Sequence, residues 1–497
     1  MTFMPDSCSL CRSHSPIKPF FLFALGAVGM IAAGCGGGNS SSGGPIPGQT
    51  TTVAIQLSST ANNRFTQFGM NIEKISLTNK AGITTTIFST PTAVDFMRSN
   101  GNSVPLATGT VPQDVYTSAA VAVSGPEFSY VSESSQGQIT FATDAYGYTP
   151  TPPVVNLASP ITVMGSTMGM TLNLQAAQSG SYDGVPPNQI SYTINPTFNL
   201  TSFSIRTEAT TPLNGKCTGM LAQVAAVSAD SVTLAIGGPR LMQMRSVTAA
   251  INSGTVFQGI ASAADLSAGS LVNIDMALEP DASYTATRIE VRDSAATNVV
   301  NGQLVQIYPS YNNYVSTTAT EQMGSIVSVQ PVGAGYPYEF GSSTNFLTSG
   351  QFKNLSSLPF SATFSPEALA PGQMVSTGST TISYMGGTWT QPTSVTLMPQ
   401  TIDAVVTGET TNANYSVYTA QLAPYDLIVQ LNNPVNGPSL VTVPNPDVVY
   451  IYVGSDASLL NSAALGTGGT YRFHGLLFND AGTLRLVCNQ VDDGVSQ

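Results

Sequence analysis

Side chains able to do chemistry are scarce in this chain. Of two histidines in 497 residues, His14 lies near the N-terminus and His474 stands alone in the remainder. His474 sits in Tyr471-Arg-Phe-His-Gly-Leu-Leu-Phe, where strand alternation puts Phe473 on one face and Arg472 with His474 on the other. A histidine so placed is expected to be a solvated or hydrogen-bonded surface residue. A serine triad would bring a Gly-x-Ser-x-Gly elbow, which is absent, and a histidine zinc site needs more imidazoles than the chain supplies. No metal or cofactor is expected.

Carboxylate chemistry asks for less, since glycoside hydrolysis needs only two acidic groups at a suitable separation. Asp265, Asp281, Glu367, Asp447, Asp456 and Asp480 are eligible, but each falls in a Gly-, Pro- or Ser-rich stretch that reads as a turn, where such side chains bond their own backbone. Asp492-Asp493 reads as a solvated tail, and regularly spaced oxygen ligands for calcium are missing. The feature that points most directly to a ligand is Tyr308-Pro-Ser-Tyr311-Asn-Asn-Tyr314. Its aromatic faces beside amides could stack on sugar rings, with Trp389 as a further platform. The competing reading is a linker between barrels whose tyrosines pack on a neighbour.

The N-terminus gives a location. Arg12 and Lys18 precede an uncharged run, residues 19–34, with the layout of a signal peptide and less than the ~20 apolar residues of a membrane span. The run ends in Ala32-Ala33-Gly34-Cys35, which resembles the bacterial lipobox. That resemblance implies cleavage after residue 34, a diacylglycerol thioether on Cys35, and palmitate-type acyl chains that hold the protein to a membrane. Gly36 stands where an inner-membrane retention signal would place Asp, so the expected site is the outer membrane of a diderm bacterium. Residues 35–50 are Gly/Ser-rich and read as a flexible tether.

Cys8 and Cys11 leave with the signal peptide, so Cys217 and Cys488 remain as thiols. Export to an oxidising compartment allows a disulfide between them. Cys488 also alternates with Leu484 and Leu486 on one strand face, which equally fits a buried free thiol.

Composition fixes the class of partner. Lys and Arg number 15 against 27 Asp and Glu, a net charge of −12, with no basic cluster for phosphate, so nucleic acid is excluded as a partner. With 8% charged residues, 46 Gly and 32 Pro, the chain lacks the residues that fill exposed helix faces, while 42% hydrophobic residues argue against disorder.

The elements follow from patterning with a period of two. Val53, Ile55 and Leu57 alternate; Met70 and Ile72 share one parity and Ile75 and Leu77 the other, as a bulged strand requires. About seven to nine such strands predict a β-sandwich over residues 51–208. Beyond it the chain repeats at about 75 to 90 residues: the strand opening at Gly219 is echoed at Gly324 and Ile402. The reading is all-β, with three small OB-like barrels at 215–295, 320–400 and 401–491.

Ile72, Val94-Asp95-Phe96, Asn100-Gly101, Leu106, Val111-Pro112 and residues 116–123 resemble an uncharacterised lipoprotein domain. The later units resemble uncharacterised β-barrel domains found in tandem in exported bacterial proteins, through Ala423-Pro-Tyr-Asp-Leu-Ile and Phe478-Asn-Asp-Ala-Gly-Thr-Leu-Arg. The resemblance implies fold and location but transfers no catalytic residue. The functional expectation is a non-enzymatic binding or adhesion module held to the membrane by lipid and facing a protein or glycan partner. A carboxylate hydrolase of surface polysaccharide is the alternative.

Overall fold

Apolar side chains at period two build many of the strands, as Val53, Ile55 and Leu57 do in Thr50–Ser59. The computed structural model describes residues 44–60, 65–133, 139–144, 152–183, 191–236, 245–308, 314–318, 321–324, 335–352, 354–384, 387–411, 414–424, 426–432, 443–461 and 464–492. Among these no helix is long and apolar enough to cross a membrane.

Two sheets form the N-terminal sandwich. One runs in the order Val104–Pro112, Thr50–Ser59, Thr167–Leu174, Thr197–Phe203, Val154–Asn156; the other runs Thr84–Phe88, Phe65–Asn79, Asp114–Glu133, Ile139–Asp144. Val53, Ile55 and Leu57 meet Phe68, Ile72, Ile75 and Leu77 in the core between them. The parity switch in Phe65–Asn79 is a bulge. Ile72 pairs with Val123 and Lys74 with Ala122, so Glu73 is the extra residue and all four apolar side chains stay inside. The other face of the first sheet is also covered: Ala54 and Val104 belong to the core of the module that follows.

That module has five main strands, Lys216–Val227, Ser231–Ile236, Arg245–Ala250, Leu271–Leu278 and Tyr284–Glu290. The first pairs with the second and fourth, and the third pairs in parallel with the fifth (Ala249 opposite Tyr284), which closes the ring in the order 1-2-3-5-4. The last module repeats this order with Pro399–Thr411, Tyr415–Leu422, Val448–Leu460, Thr470–Asp480 and Thr483–Asp492, a closed barrel whose third and fifth strands are again parallel. The middle module follows the same path through Asn298–Tyr308, Tyr314–Thr318, Gly335–Glu339, Met374–Tyr384 and Gly387–Leu397. In the first two modules a short strand before the fourth (Val256–Gln258, Asn345–Thr348) pairs in parallel with the fifth. The protein is therefore all-β, a sandwich followed by OB-like modules in tandem.

Two sequence expectations about the middle module change. The middle module's sheet begins at Asn298, upstream of residue 320, because the Gly324 segment is not an opening strand: Glu321–Gly324 pairs alongside Asn298–Tyr308. Tyr308 and Tyr314 accordingly face each other across a hairpin of that module, not in a link between barrels. Of the two readings left open for Cys217 and Cys488, the structure has the buried free thiols. They are buried in the separate cores of the first and last modules, and burial raises the pKa of both, that of Cys488 to about 12.

In the last barrel the ladder shifts register between His474 and Gly475, and a methyl group on Gly475 would overlap the carbonyl oxygen of Val487. Gly475→Ala is expected to lower stability by about 1–3 kcal/mol, read as an earlier urea midpoint; an unchanged midpoint contradicts this closure.

Candidate functional site

A short loop of the sandwich organises the centre of the molecule. Buried Asp95 caps the 3-10 turn Phe96–Ser99: its Oδ1 accepts from the backbone N–H groups of Phe68 and Met97, each at 3.1 Å. Burial outweighs these bonds and lifts the carboxyl to about 6. The loop then touches two modules. Asn102 accepts from Thr218 N at 3.1 Å and donates to Thr218 O, while Ser103 Oγ donates to Pro212 O at 3.1 Å. On the other side Asn100 O accepts from Thr401 Oγ1 at 3.2 Å, Gly101 O accepts from Gln490 Nε2 at 2.9 Å, and Arg472 donates to Asn100 Oδ1 and, at 3.4 Å, to Ser59 O. Gly101 has φ +68°, and a side chain there would press on Thr401 Oγ1 at 2.6 Å.

The first and middle modules are joined by charge. Arg288 grips Asp275 with two bonds of 2.8 and 2.9 Å and also reaches Glu290, whose Oε2 accepts from Arg292 at 3.1 Å. Partners from the middle module complete the network: Gly350 N donates to Glu290 Oε1 at 3.2 Å, Gln351 Nε2 to Asp275 Oδ1 at 3.2 Å, and Arg292 to Ser349 Oγ at 3.2 Å. Burial alone would raise the Glu290 pKa, but Arg292 and Arg288 together hold it below the usual value.

Amides and aromatic rings join the middle and last modules. Gln373 Nε2 donates to Leu477 O at 3.0 Å, and Gln400 accepts from Met374 N at 2.7 Å while donating to Gly372 O at 3.0 Å. Phe360 lies 5.0 Å from the Tyr452 ring and 5.9 Å from Phe478, and Ser357 Oγ meets Tyr415 OH at 3.0 Å.

These junctions surround a cavity of about 130 Å³ reached by all four modules; Met97, Asn102, Met220, Gln351, Gln400 and His474 are among its walls. The volume holds several waters. Arg98 and His474 are its only titratable wall residues among those described, and no carboxylate or thiol lines it. Half-buried His474 meets Thr401 Oγ1 at 2.9 Å through Nδ1. Because the Thr401 hydroxyl gives its proton to Asn100 O, the network assigns the ring proton to Nδ1 and leaves Nε2 as an acceptor. Burial, aided by Arg472, lowers this imidazole to about 4, so it is neutral at physiological pH. The cavity offers amides, hydroxyls and a neutral imidazole beside one guanidinium, and its described walls hold no carboxylate to pair with the imidazole as acid and base.

The sequence candidates disperse. Asp265 accepts from Ala261 N and Ser262 N, Asp281 from Ser283, Glu367 from Ser365 and Asp447 from Gln421, all local bonds or bonds at the surface. Asp480 is paired with Arg485 at 2.7 Å. Asp456 is not in a turn: it is exposed on Val448–Leu460, where that strand's pairing shifts register. Cys35, Tyr311 and Asp493 lie outside the described residues, as do the side chains of Tyr308, Tyr314 and Trp389. Among the described residues no three or more His, Cys, Asp or Glu gather to hold a metal. Sequence reasoning missed the Asp275, Arg288, Glu290 and Arg292 cluster. Its signal was Arg288-Ile-Glu-Val-Arg292, like-facing charges at period two in a chain only 8% charged.

Comparison with known proteins adds one family and one structure. The family described as "Domain of unknown function (DUF5666)" matches residues 222–290, within the span of the first module's five strands. A solved chain titled "drosophila Unr CSD456" is similar at 12% identity, covering 56% of this chain and 98% of that one, with a TM-score of 0.13. Curated proteins give no match.

Two expectations follow. His474 should titrate by NMR with a pKa of about 4, below its ordinary 6.5. Its contribution to stability is then present above 6.5 and lost as pH falls through about 4; a signal titrating near 6.5, assigned by its loss in His474→Gln, contradicts the burial. Arg288→Ala takes the paired cation from buried Asp275 while Glu290 keeps Arg292, and should cost about 3–5 kcal/mol in denaturant titration.

Proposed function

We propose that this protein is a lipid-anchored component of the cell envelope, held at Cys35 in the outer membrane of a diderm bacterium, whose β modules present a binding surface to a protein or glycan partner and perform no catalysis. The observation that supports this best is how its few charges are used. Arg288, Arg292 and Arg472 form buried ion pairs within their own modules, and these charged clusters reach neighbouring modules through hydrogen bonds to Gly350, Gln351, Ser349 and Asn100, while Arg485 is paired with Asp480 beside Phe360. The central cavity has no carboxylate in its described walls. Polar groups invested in fixing modules to one another favour a rigid scaffold. The net charge of −12 keeps such a body away from nucleic acid and suits a surface exposed to water.

The anchor is tested by growth with labelled palmitate, which should enter the wild-type chain and be lost in Cys35→Ser; no label in the wild type, or equal label in both, refutes it. The binding role is tested by glycan-array and pull-down screens run beside a glycosidase assay. Turnover abolished by a single Asp or Glu substitution would replace it with a hydrolase.

A further inference from the structure

Away from the central cavity, a groove of about 660 Å³ runs along the sandwich edge, between Thr84–Phe88 and Val104–Pro112, and reaches the first module at Arg245 and Ser246. Its walls are rich in hydroxyls, Thr86, Thr90, Thr108 and Ser246 among them. Arg245 opens the strand Arg245–Ala250, and its Nη1 donates to Pro105 O at 2.6 Å. Among the described residues that is the one hydrogen bond its guanidinium makes. Nε is buried without a partner, and Nη2 is engaged by no described protein group. The ion pairs among described residues use Arg288, Arg292, Arg472 and Arg485, and no described carboxylate pairs with Arg245.

A cation held away from water without a counter-charge is costly, and the usual remedy is a paired, hydrogen-bonded anion. Burial, and after it the neighbouring cation of Arg98, lowers the Arg245 pKa to about 10. In a chain of net charge −12, the groove walls carry an arginine and no acid.

We propose that the groove binds a small ligand through an oxyanion (carboxylate, sulfate or phosphate) seated on the terminal Nη1–Nη2 side of Arg245, with the wall hydroxyls of Thr86, Thr108 and Ser246 bonding the rest. A guanidinium presents parallel N–H donors to such a group. The groove's volume, within the ~300–1,000 Å³ usual for ligand sites, admits an organic molecule carrying the charge and not only a bare ion. The assignment stands on the groove alone and does not depend on the anchor at Cys35.

The test is calorimetric titration of the full chain at low ionic strength with three probes, trigalacturonate, sodium sulfate and inorganic phosphate, and with neutral maltotriose as control. At least one anionic probe should bind saturably, the order of affinity naming the oxyanion, and maltotriose should not. Two variants read the site. Arg245→Gln removes the cation, and Thr108→Glu, at an exposed wall position, supplies a competing carboxylate without disturbing the bond to Pro105. Each should weaken the anionic probe by at least about tenfold, the size of one lost charge-assisted contact. No binding by any anion, equal binding of maltotriose, or affinity unchanged in both variants overturns the proposal.

Discussion

The guanidinium of Arg288, clamped by Asp275 and bonded to Glu290, is the contact on which the larger arrangement rests. Both carboxylates point their second oxygens or free lone pairs at the next module, to Gly350 N and to the Gln351 amide. The ion pair is therefore a fully bonded platform whose remaining acceptors define where the middle module must sit. A buried ion pair is weak evidence for stability but a strong device for register, because a displaced neighbour would leave charges unsatisfied. The loop Phe96–Ser99 with Asn100 and Asn102 applies the same principle with neutral amides, fixing the sandwich to the first and last modules together.

This packing decides which surfaces remain for use. OB-type barrels commonly receive oligomeric ligands on the face of their second and third strands. In the last module the outward residues of those strands, Tyr415, Val417 and Tyr452, instead join a core with Phe340, Phe346 and Phe360 of the middle module. That face is covered from within. What stays open on these strands lies beyond the covered strip, where Tyr450 is 36% exposed beside the Arg485 guanidinium.

Local structure was legible because its causes are local. The parity change between Ile72 and Ile75 announced a bulge that the pairing to Val123 and Ala122 shows, and alternation around Phe473 separated the barrel interior from Arg472 and His474. The opening of the middle module was misplaced because period-two segments look alike: Glu321–Gly324 and Asn298–Tyr308 differ in which neighbours they pair with, and nothing within either segment records that. The environment of His474 was out of reach for a related reason. The residues that dry it and fix its proton, Asn100 and Thr401, come from another module and another strand. The Cys217 and Cys488 question was likewise decided by which cores they enter, a property of the fold and not of spacing.

The bonds of Asn100 and Gly101 to Arg472 and Gln490 span 372 and 389 residues of the polypeptide. They also set a timetable. The sandwich emerges first during synthesis, yet its loop meets those partners only when the final strand, Thr483–Asp492, has arrived to close the last barrel. Until then an early-folded domain waits with an unfilled socket, so completion of the molecule is tied to delivery of its C-terminal residues, and a truncation that clips one strand at the far end would be felt at residue 100.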